Sequence, residues 1–212
     1  MFNRDLYINS FGKDVKELQK ILTKMGFGSF MATGYFGTKT WDAVKSFQKA
    51  YKIEPALGFF GPITRAKINE ILSDTNREHL YYVAKECVGT DVTPEDLVPD
   101  EVDCADTVCT ILNLAGFDIG YYPYTLNLYK ALKNSPHWIQ IFDNYKRGDV
   151  IISPTSLGNG TITGHTGFIS DNGKIISNSS SDGIVRENYT LDTWRKRYVE
   201  KGGLPLFVFR KL

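Results

Sequence analysis

A short segment of the chain occurs twice in its first third. The stretch Gly-Tyr-Phe-Gly-Thr at residues 34–38 is echoed by Gly-Phe-Phe-Gly-Pro at residues 58–62. Similarity at a short period indicates that one structural unit is used twice. Each copy ends in a residue suited to a helix start, because Thr38 can act as an N-cap and Pro62 fits a first turn that needs no N–H donor. The repeat therefore predicts two similar units, each a loop followed by a helix.

Apolar residues at steps of three and four predict the helices themselves. Before the repeat, Val15, Leu18, Leu22 and Met25 share one helix face, and Gly26 follows as a residue suited to a helix end. The helix after the first copy has its own apolar stripe: Trp41, Val44, Phe47 and Tyr51. The helix after the second copy carries Ile63, Ala66, Ile71 and Leu72. These patterns predict a small three-helix bundle domain over residues 1–74.

The motifs of this region resemble a known domain. Val-x-x-Leu-Gln-x-x-Leu is followed by Gly-x-Phe-Gly-x-x-Thr-x-x-Ala-Val-x-x-Phe-Gln, and over residues 8–72 the pattern resembles the helical peptidoglycan-binding domain of many cell-wall hydrolases. The resemblance implies that bacterial peptidoglycan is the partner. Tyr35 and Phe59, one in each copy of the repeat, are candidate substrate-binding residues on an exposed loop surface.

A second domain is expected from residue 75 onward. Thr75 and Glu78 have the spacing of a capping box, in which each side chain satisfies a free backbone N–H of a new helix. That helix is expected to reach Cys87 and to stop at Gly89. The sequence therefore predicts domains at residues 1–74 and 75–212.

Composition and charge narrow the classes of partner. Of the 212 residues, 42% are hydrophobic, which is ample for packed cores. The 25 Lys and Arg residues nearly balance 24 Asp and Glu residues, so the basic footprint of a nucleic-acid-binding protein is missing. No run of about 18 apolar residues and no signal peptide is found, so no membrane insertion is expected. Nothing in the pattern demands more than a monomer.

The three cysteines differ in their expected positions. Cys104, Val108, Ile111 and Leu112 recur on one face of a predicted helix whose N-cap is Asp103. A helix N-terminus presents partial positive charge and free N–H groups, which favour a thiolate and can receive an oxyanion. Cys87 and Cys109 are expected to be structural, since Cys109 lies on another face of the helix. Cys104 is therefore the candidate nucleophile.

A histidine on a downstream strand supplies the candidate base. Of the histidines at 79, 137 and 165, only His165 opens a β-rich segment, and no cluster suited to a metal occurs. Asn172-Gly173 predicts a tight hairpin, with Asp171 paired to Lys174 and His165 opposite Ser180 to within a residue or two. The returning strand brings Asn178 or Ser177 near the imidazole. Asn178 is the preferred third group, and Ser177 is the alternate.

The second domain also resembles known families. Asp-Cys-Ala at 103–105, Arg-Gly-Asp-Val-Ile at 147–151 and Gly-His-Thr-Gly-Phe at 164–168 are similar to motifs of the NlpC/P60 and CHAP cysteine peptidases and amidases. The resemblance implies a papain-like α+β domain with a small antiparallel sheet. It also implies that Cys104 attacks an amide with His165 as base, without metal or cofactor. Tyr122 and Tyr124 are candidates for lining the substrate groove.

The combination of the two domains looks like a phage endolysin. The expected reaction is hydrolysis through a thioester, either within the stem peptide or cross-bridge or at the link between muramic acid and L-alanine. The expected location is the host cytoplasm before lysis and the cell wall after release. Two alternatives stay open: a non-catalytic wall-binding protein with a degenerate papain-like domain, and an antibacterial effector amidase.

Overall fold

The computed structural model describes residues 2–93, 103–155 and 163–212. The chain divides into two compact units, Met1–Leu72 and Ser73–Leu212. Within the described ranges, no helix has the length and apolar character needed to cross a bilayer.

The first unit contains the three predicted helices. Helix α1 spans Lys13–Lys24, α2 spans Thr38–Ala50, and α3 begins at Pro62. Gly26 has a φ of 81°, which agrees with its predicted place after the end of α1. The prediction of Thr38 as an N-cap is wrong by one residue, because Gly37 occupies that position and Thr38 is already helical. The largest fully buried side chains of this unit are Leu6, Leu18, Leu22, Phe36, Phe47, Phe60 and Ile68.

A buried glutamine holds the first copy of the repeat. The Gln19 side chain is only 2% exposed. Its Oε1 accepts from the Gly34 N–H at 2.9 Å, while its Nε2 donates to the Tyr35 carbonyl at 2.8 Å and to the Thr40 hydroxyl at 2.9 Å. One amide therefore ties α1 to both the loop and the first turn of α2.

The second copy has the same arrangement, with Gln48 as its centre. Gln48 Oε1 accepts from the Gly58 N–H at 2.8 Å, and Nε2 donates to the Phe59 carbonyl at 2.8 Å and to the Thr64 hydroxyl at 2.9 Å. The sequence repeat is thus a repeated hydrogen-bond unit, in which a glutamine satisfies loop groups that burial would otherwise leave without partners.

The predicted helix break near residue 75 is wrong. Helix α3 runs without interruption over Pro62–Glu86, so Thr75 and Glu78 lie in its interior and do not form a capping box. Both residues are compatible with a helix interior, and Glu78 bonds Arg147 through both carboxylate oxygens. Cys87 follows the end of the helix directly.

The second unit adds helices around an antiparallel sheet. Its helices are α4 (Cys104–Leu114), α5 (Thr125–Asn134) and α6 (Leu191–Trp194). Helix α6 continues as a π-helical segment (Arg195–Lys201). The strands are β1 (Trp138–Ile141), β2 (Val150–Ser153), β3 (His165–Ile169), β4 (Lys174–Asn178), β5 (Val185–Thr190) and β6 (Phe207–Lys211). Their order in the sheet is β1-β6-β2-β3-β4-β5. The α+β prediction is confirmed, although β1 and β5 were not anticipated.

The sheet is buried on both faces. Val150, Ile152, Phe168 and Ile176 belong to a core that includes Ala105 and Val108 of α4, and this side is called the α4 face. Their neighbours along the strands, Ile151, Ile169, Ile175 and Val208, pack with Trp194 and Tyr198, and this side is called the Trp194 face. Because side chains alternate along a strand, odd-numbered residues of β3 and β4 lie on the Trp194 face.

The predicted hairpin between β3 and β4 is present, with a register inside the predicted range of a residue or two. Asn172 and Gly173 have φ angles of 53° and 67°, as a tight reversal requires. The loop contains three residues, Asp171–Gly173, and the strands pair Ile169 with Ile175 and Phe168 with Ile176. The register is one residue away from the predicted pairing of Asp171 with Lys174, because the loop is one residue longer than expected.

The glutamine clusters generate a prediction about stability. Replacing Gln48 by Leu leaves the Gly58 N–H, the Phe59 carbonyl and the Thr64 hydroxyl without their partner. Leaving such buried groups unsatisfied is expected to destabilise the first unit by about 2–4 kcal/mol. Amide hydrogen exchange in α1 and α2, followed by mass spectrometry, measures the change. Lys49→Ala, at the exposed neighbouring position, is the control, and equal exchange in both variants would contradict the structural role of Gln48.

Candidate active site

Cys104 occupies the first turn of α4, as the sequence predicts. It is the first residue of the helix, and Asp103 stands at the N-cap position without a side-chain capping bond. Cys104 is 6% exposed and lines a cleft of about 340 Å³. The cleft is also lined by Pro123, Tyr124, Thr125, Leu126, Asn127, Thr155, Thr163 and Gly164. The nearly buried Cys104 therefore borders an open cleft.

Two opposing influences act on the Cys104 thiol. Burial raises its pKa to about 12, and the nearby Asp103 carboxylate acts in the same direction. The backbone N–H groups of Thr166, Ala105 and Cys104 favour the thiolate and lower the pKa. Burial is the larger influence, so the group is a neutral thiol in the free protein at pH 7.

The surroundings of His165 are largely aromatic. Its ring centroid lies 5.3 Å from those of Trp194 and Tyr198 and 5.6 Å from that of Tyr189, and the Tyr198 ring is stacked on it at 17°. Burial lowers the pKa of His165 to about 3, and the Arg197 guanidinium adds to the shift. The imidazole is therefore neutral at pH 7.

Cys104 and His165 approach the end of β3 from different sides. Cys104 Sγ lies 3.9 Å from the Gly164 carbonyl oxygen, and the Thr166 N–H also points to it, so the sulfur contacts the backbone on both sides of His165. The imidazole lies on the Trp194 face, opposite α4. Among the described residues, no hydrogen bond joins Cys104 to the His165 ring. The structure thus brings the sulfur to the histidine's backbone without joining sulfur and ring.

Ser177, the alternate third residue, contacts the imidazole. His165 Nε2 and Ser177 Oγ are 3.0 Å apart, and both are buried. Asn178, the preferred residue, follows Ser177 on β4 and lies on the α4 face because of strand alternation. Its side chain is 1% exposed, and neither of its polar atoms finds a partner among the described residues. The geometry favours Ser177 at the position beside the histidine.

The four tyrosine and phenylalanine candidates have different surroundings. Tyr124 is 60% exposed and lines the cleft beside Cys104, whereas Tyr122 lines a separate pocket with Phe117 and Trp138. Tyr35 and Phe59 of the first unit are 50% and 41% exposed. The Tyr35 hydroxyl donates to Asn9 at 2.7 Å, and the Phe59 ring lies 6.3 Å from Tyr7.

Two threonines in the cleft wall were missed at the level of sequence. Thr125 Oγ1 accepts from the Thr155 N–H at 3.0 Å, and Thr155 Oγ1 accepts from the Gly164 N–H at 2.7 Å. They connect α5 to the residue before His165. No local motif marks them, because the contact depends on tertiary structure. Most of the loop between Thr155 and Gly164 lies outside the described residues.

The other two cysteines are buried and free of disulfide bonds. Cys109 is buried in the core, where burial raises its pKa to about 12, and Cys87 is also a free, buried thiol. Across residues 2–93, 103–155 and 163–212, no group of three or more His, Cys, Asp or Glu side chains could hold a metal ion.

Comparisons with known proteins give two family matches. A model described as a bacteriophage peptidoglycan hydrolase matches residues 91–212, and one described as a putative peptidoglycan binding domain matches residues 11–68. No curated protein matches the chain. A solved structure of the type VI native effector-immunity complex Tae3-Tai3 from Ralstonia pickettii is similar at 16% identity and a TM-score of 0.41, covering 65% of this chain and 98% of that chain. The predicted pairing of a peptidoglycan-binding domain with a peptidoglycan hydrolase domain is confirmed by the two family models.

The buried imidazole generates a prediction about acid stability. The pKa of His165 falls from an ordinary 6.5 to about 3 in the folded protein, so between these values the unfolded chain binds a proton that the folded chain does not. Stability must therefore decline as pH falls through this window, by about 1.4 kcal/mol for each pH unit. Denaturant unfolding between pH 6 and pH 4 measures the slope.

The comparison that isolates His165 uses two variants. His165→Gln removes this contribution, so its stability should fall less steeply with acid than that of the parent. His137→Gln, at an exposed position, should keep the parental slope. If His165→Gln also keeps the parental slope, the imidazole is not held neutral by burial.

Proposed function

The chain belongs to the family of bacteriophage peptidoglycan hydrolases, and on that premise we propose that it cuts an amide bond of the wall peptide by attack of the Cys104 thiol. The observation that carries the proposal is the place of Cys104, at the start of α4 and in the wall of the cleft. Helix-start N–H groups stabilise a thiolate and can also stabilise the oxyanion of a tetrahedral intermediate. Neither Cys87 nor Cys109 lines this cleft.

The proposed reaction has two stages. In the first, Sγ forms a bond to the carbonyl carbon while the thiol proton passes to His165, and the carbonyl oxygen becomes an oxyanion. The intermediate collapses to a thioester when the carbon–nitrogen bond breaks, and the imidazolium returns the proton to the leaving amine. In the second stage, water attacks the thioester with His165 as base, which releases the acid and restores the thiol.

The proton transfer requires sulfur and imidazole to meet at the end of β3. Sγ already contacts the backbone on both sides of His165, and the imidazole lies on the opposite face of β3, so the proposed transfer requires the ring to turn toward the helix start. We assign the third position to Ser177, because its hydroxyl bonds the imidazole, whereas Asn178 is buried on the α4 face.

Wall binding is assigned to the first unit, which matches the peptidoglycan-binding model. Tyr35 and Phe59 present exposed rings from the two copies of the repeat, while the neighbouring Phe36 and Phe60 are fully buried. Flat exposed rings offer apolar area at little entropic cost, which suits binding of a glycan or peptide.

Substitution of the nucleophile and the base tests the catalytic proposal. Cys104→Ala is expected to reduce the clearing of purified sacculi by about a thousandfold or more, and His165→Ala by about a hundredfold or more. Turbidity loss measures the rate. Cys109→Ala and His137→Ala are matched controls that should retain activity, since Cys109 has a similarly raised pKa but does not line the cleft. If Cys104→Ala clears sacculi at the parental rate, Cys104 is not the nucleophile.

Mass spectrometry of the same digests identifies the bond. New free lactyl ends on muramic acid mean that the protein is an amidase, and new ends within the stem or cross-bridge mean that it is an endopeptidase. Products with only cleaved glycosidic bonds would contradict amide hydrolysis.

A sedimentation assay tests the wall-binding residues. In a Cys104→Ala background, Tyr35→Ala combined with Phe59→Ala is expected to weaken co-sedimentation with sacculi by about tenfold, because two exposed rings are lost. Met31→Ala is the control, since Met31 is an 84% exposed apolar residue of the same unit. Equal losses in the control and the double variant would argue against a specific role for the two rings.

A further inference from the structure

The pairing of β4 with β5 contains one extra residue. Ile175 pairs with Tyr189 and Ile176 pairs with Glu187, so Asn188 stands between two paired positions without a partner of its own. Such a β-bulge changes the direction of a side chain and is a recurrent feature beside functional sites. Here the bulge lies next to the strand that carries Ser177.

The bulged residue is bonded to the serine that contacts His165. Ser177 Oγ donates to Asn188 Oδ1 at 2.7 Å, and the same Oγ lies 3.0 Å from His165 Nε2. A serine hydroxyl has one proton and two lone pairs. Because that proton is used toward Asn188, Ser177 can only accept from the imidazole, which places the imidazole proton on Nε2.

We propose that Asn188 is a positioning residue that acts through Ser177 to hold His165 in its Nε2–H tautomer. The consequence is that Nδ1 carries the free lone pair, so Nδ1 is the nitrogen that takes the Cys104 proton in the proposed reaction. This inference rests on the proposed function for its catalytic meaning. The tautomer itself is a property of the free protein and can be measured without any reaction.

The role of Asn188 depends on its being an acceptor. In Asn188→Ala, the Ser177 hydroxyl is free to donate to Nε2, and the imidazole proton then moves to Nδ1. That tautomer cannot accept a proton at Nδ1, so the variant retains both catalytic side chains with the base in the wrong form. Asn188→Asp keeps an acceptor oxygen at the same place and should preserve the Nε2–H form.

Nitrogen NMR of histidine-labelled protein reads the tautomer directly. In the Cys104→Ala background, the parent and Asn188→Asp should show a protonated Nε2 and an unprotonated Nδ1 for His165, and Asn188→Ala should shift toward the opposite pattern. Arg186→Ala is the control for disturbance of β5, because the backbone of Arg186 pairs with Ser177 while its exposed side chain forms an ion pair with Asp182 and does not touch the serine hydroxyl. An unchanged pattern in Asn188→Ala overturns the inference.

Kinetic measurements on protein that retains Cys104 give the second test. With a soluble muropeptide, Asn188→Ala should lower kcat by about tenfold with little change in KM, while Asn188→Asp and Arg186→Ala stay close to the parent. A changed tautomer with parental kcat would refute the positioning role, although the proposed function would stand. Activity retained by Cys104→Ala would instead refute the proposed function, and the NMR result would remain a valid test of the tautomer.

Discussion

Strand β3 is buried on both of its faces, and the alternation of its side chains is the constraint on which the site depends. Every residue from His165 to Ile169 is buried. Phe168 packs with α4, so His165 and Ile169 must face the opposite side, where Trp194 and Tyr198 enclose the ring. Side chains alternate between the two faces of a strand, so a shift of one residue would move every side chain of β3 to the opposite face. Cys104 Sγ therefore contacts only the backbone beside His165 at the strand end, and the imidazole lies on the other face.

A buried ion pair holds the sheet that contains β3. Asp149 is fully buried, and Arg210 donates to both of its carboxylate oxygens, at 2.8 and 2.7 Å. The Lys146 N–H also donates to Asp149, and the backbone of Asp149 accepts from Ile169 at the end of β3. Removal of one partner of such a pair typically costs about 3–5 kcal/mol, because the other charge stays buried without compensation. The pair thus joins β6 to the turn before β2 and keeps β3 in place between β2 and β4.

The sequence predicted elements and their ends more reliably than tertiary contacts. The start of α4 at Cys104 and the reversal at Asn172 follow from local rules for helix ends and tight turns. The face of His165 could not be predicted, because β3 is buried on both sides and each side carries both polar and apolar residues. The break near Thr75 was predicted wrongly, because a capping box and a helix interior use the same residue types. The Gln48 cluster and the Asn188 bulge depend on partners distant in the chain, so no local pattern reveals them.

Burial determines the charge state from which the proposed reaction starts. Desolvation disfavours the charged form of both groups, so it raises the pKa of the Cys104 thiol and lowers the pKa of the His165 imidazole. The N–H groups around Sγ oppose this effect for the thiolate, yet the pKa of Cys104 still rises to about 12. A preformed thiolate–imidazolium pair is therefore not the resting state. Under the proposed mechanism, the proton leaves sulfur as the carbon–sulfur bond forms, and the developing charge passes to the oxyanion at the helix start. The tautomer of a neutral imidazole then decides which of its nitrogens can accept the thiol proton, and the hydrogen bonds that run through Ser177 to Asn188 set that tautomer.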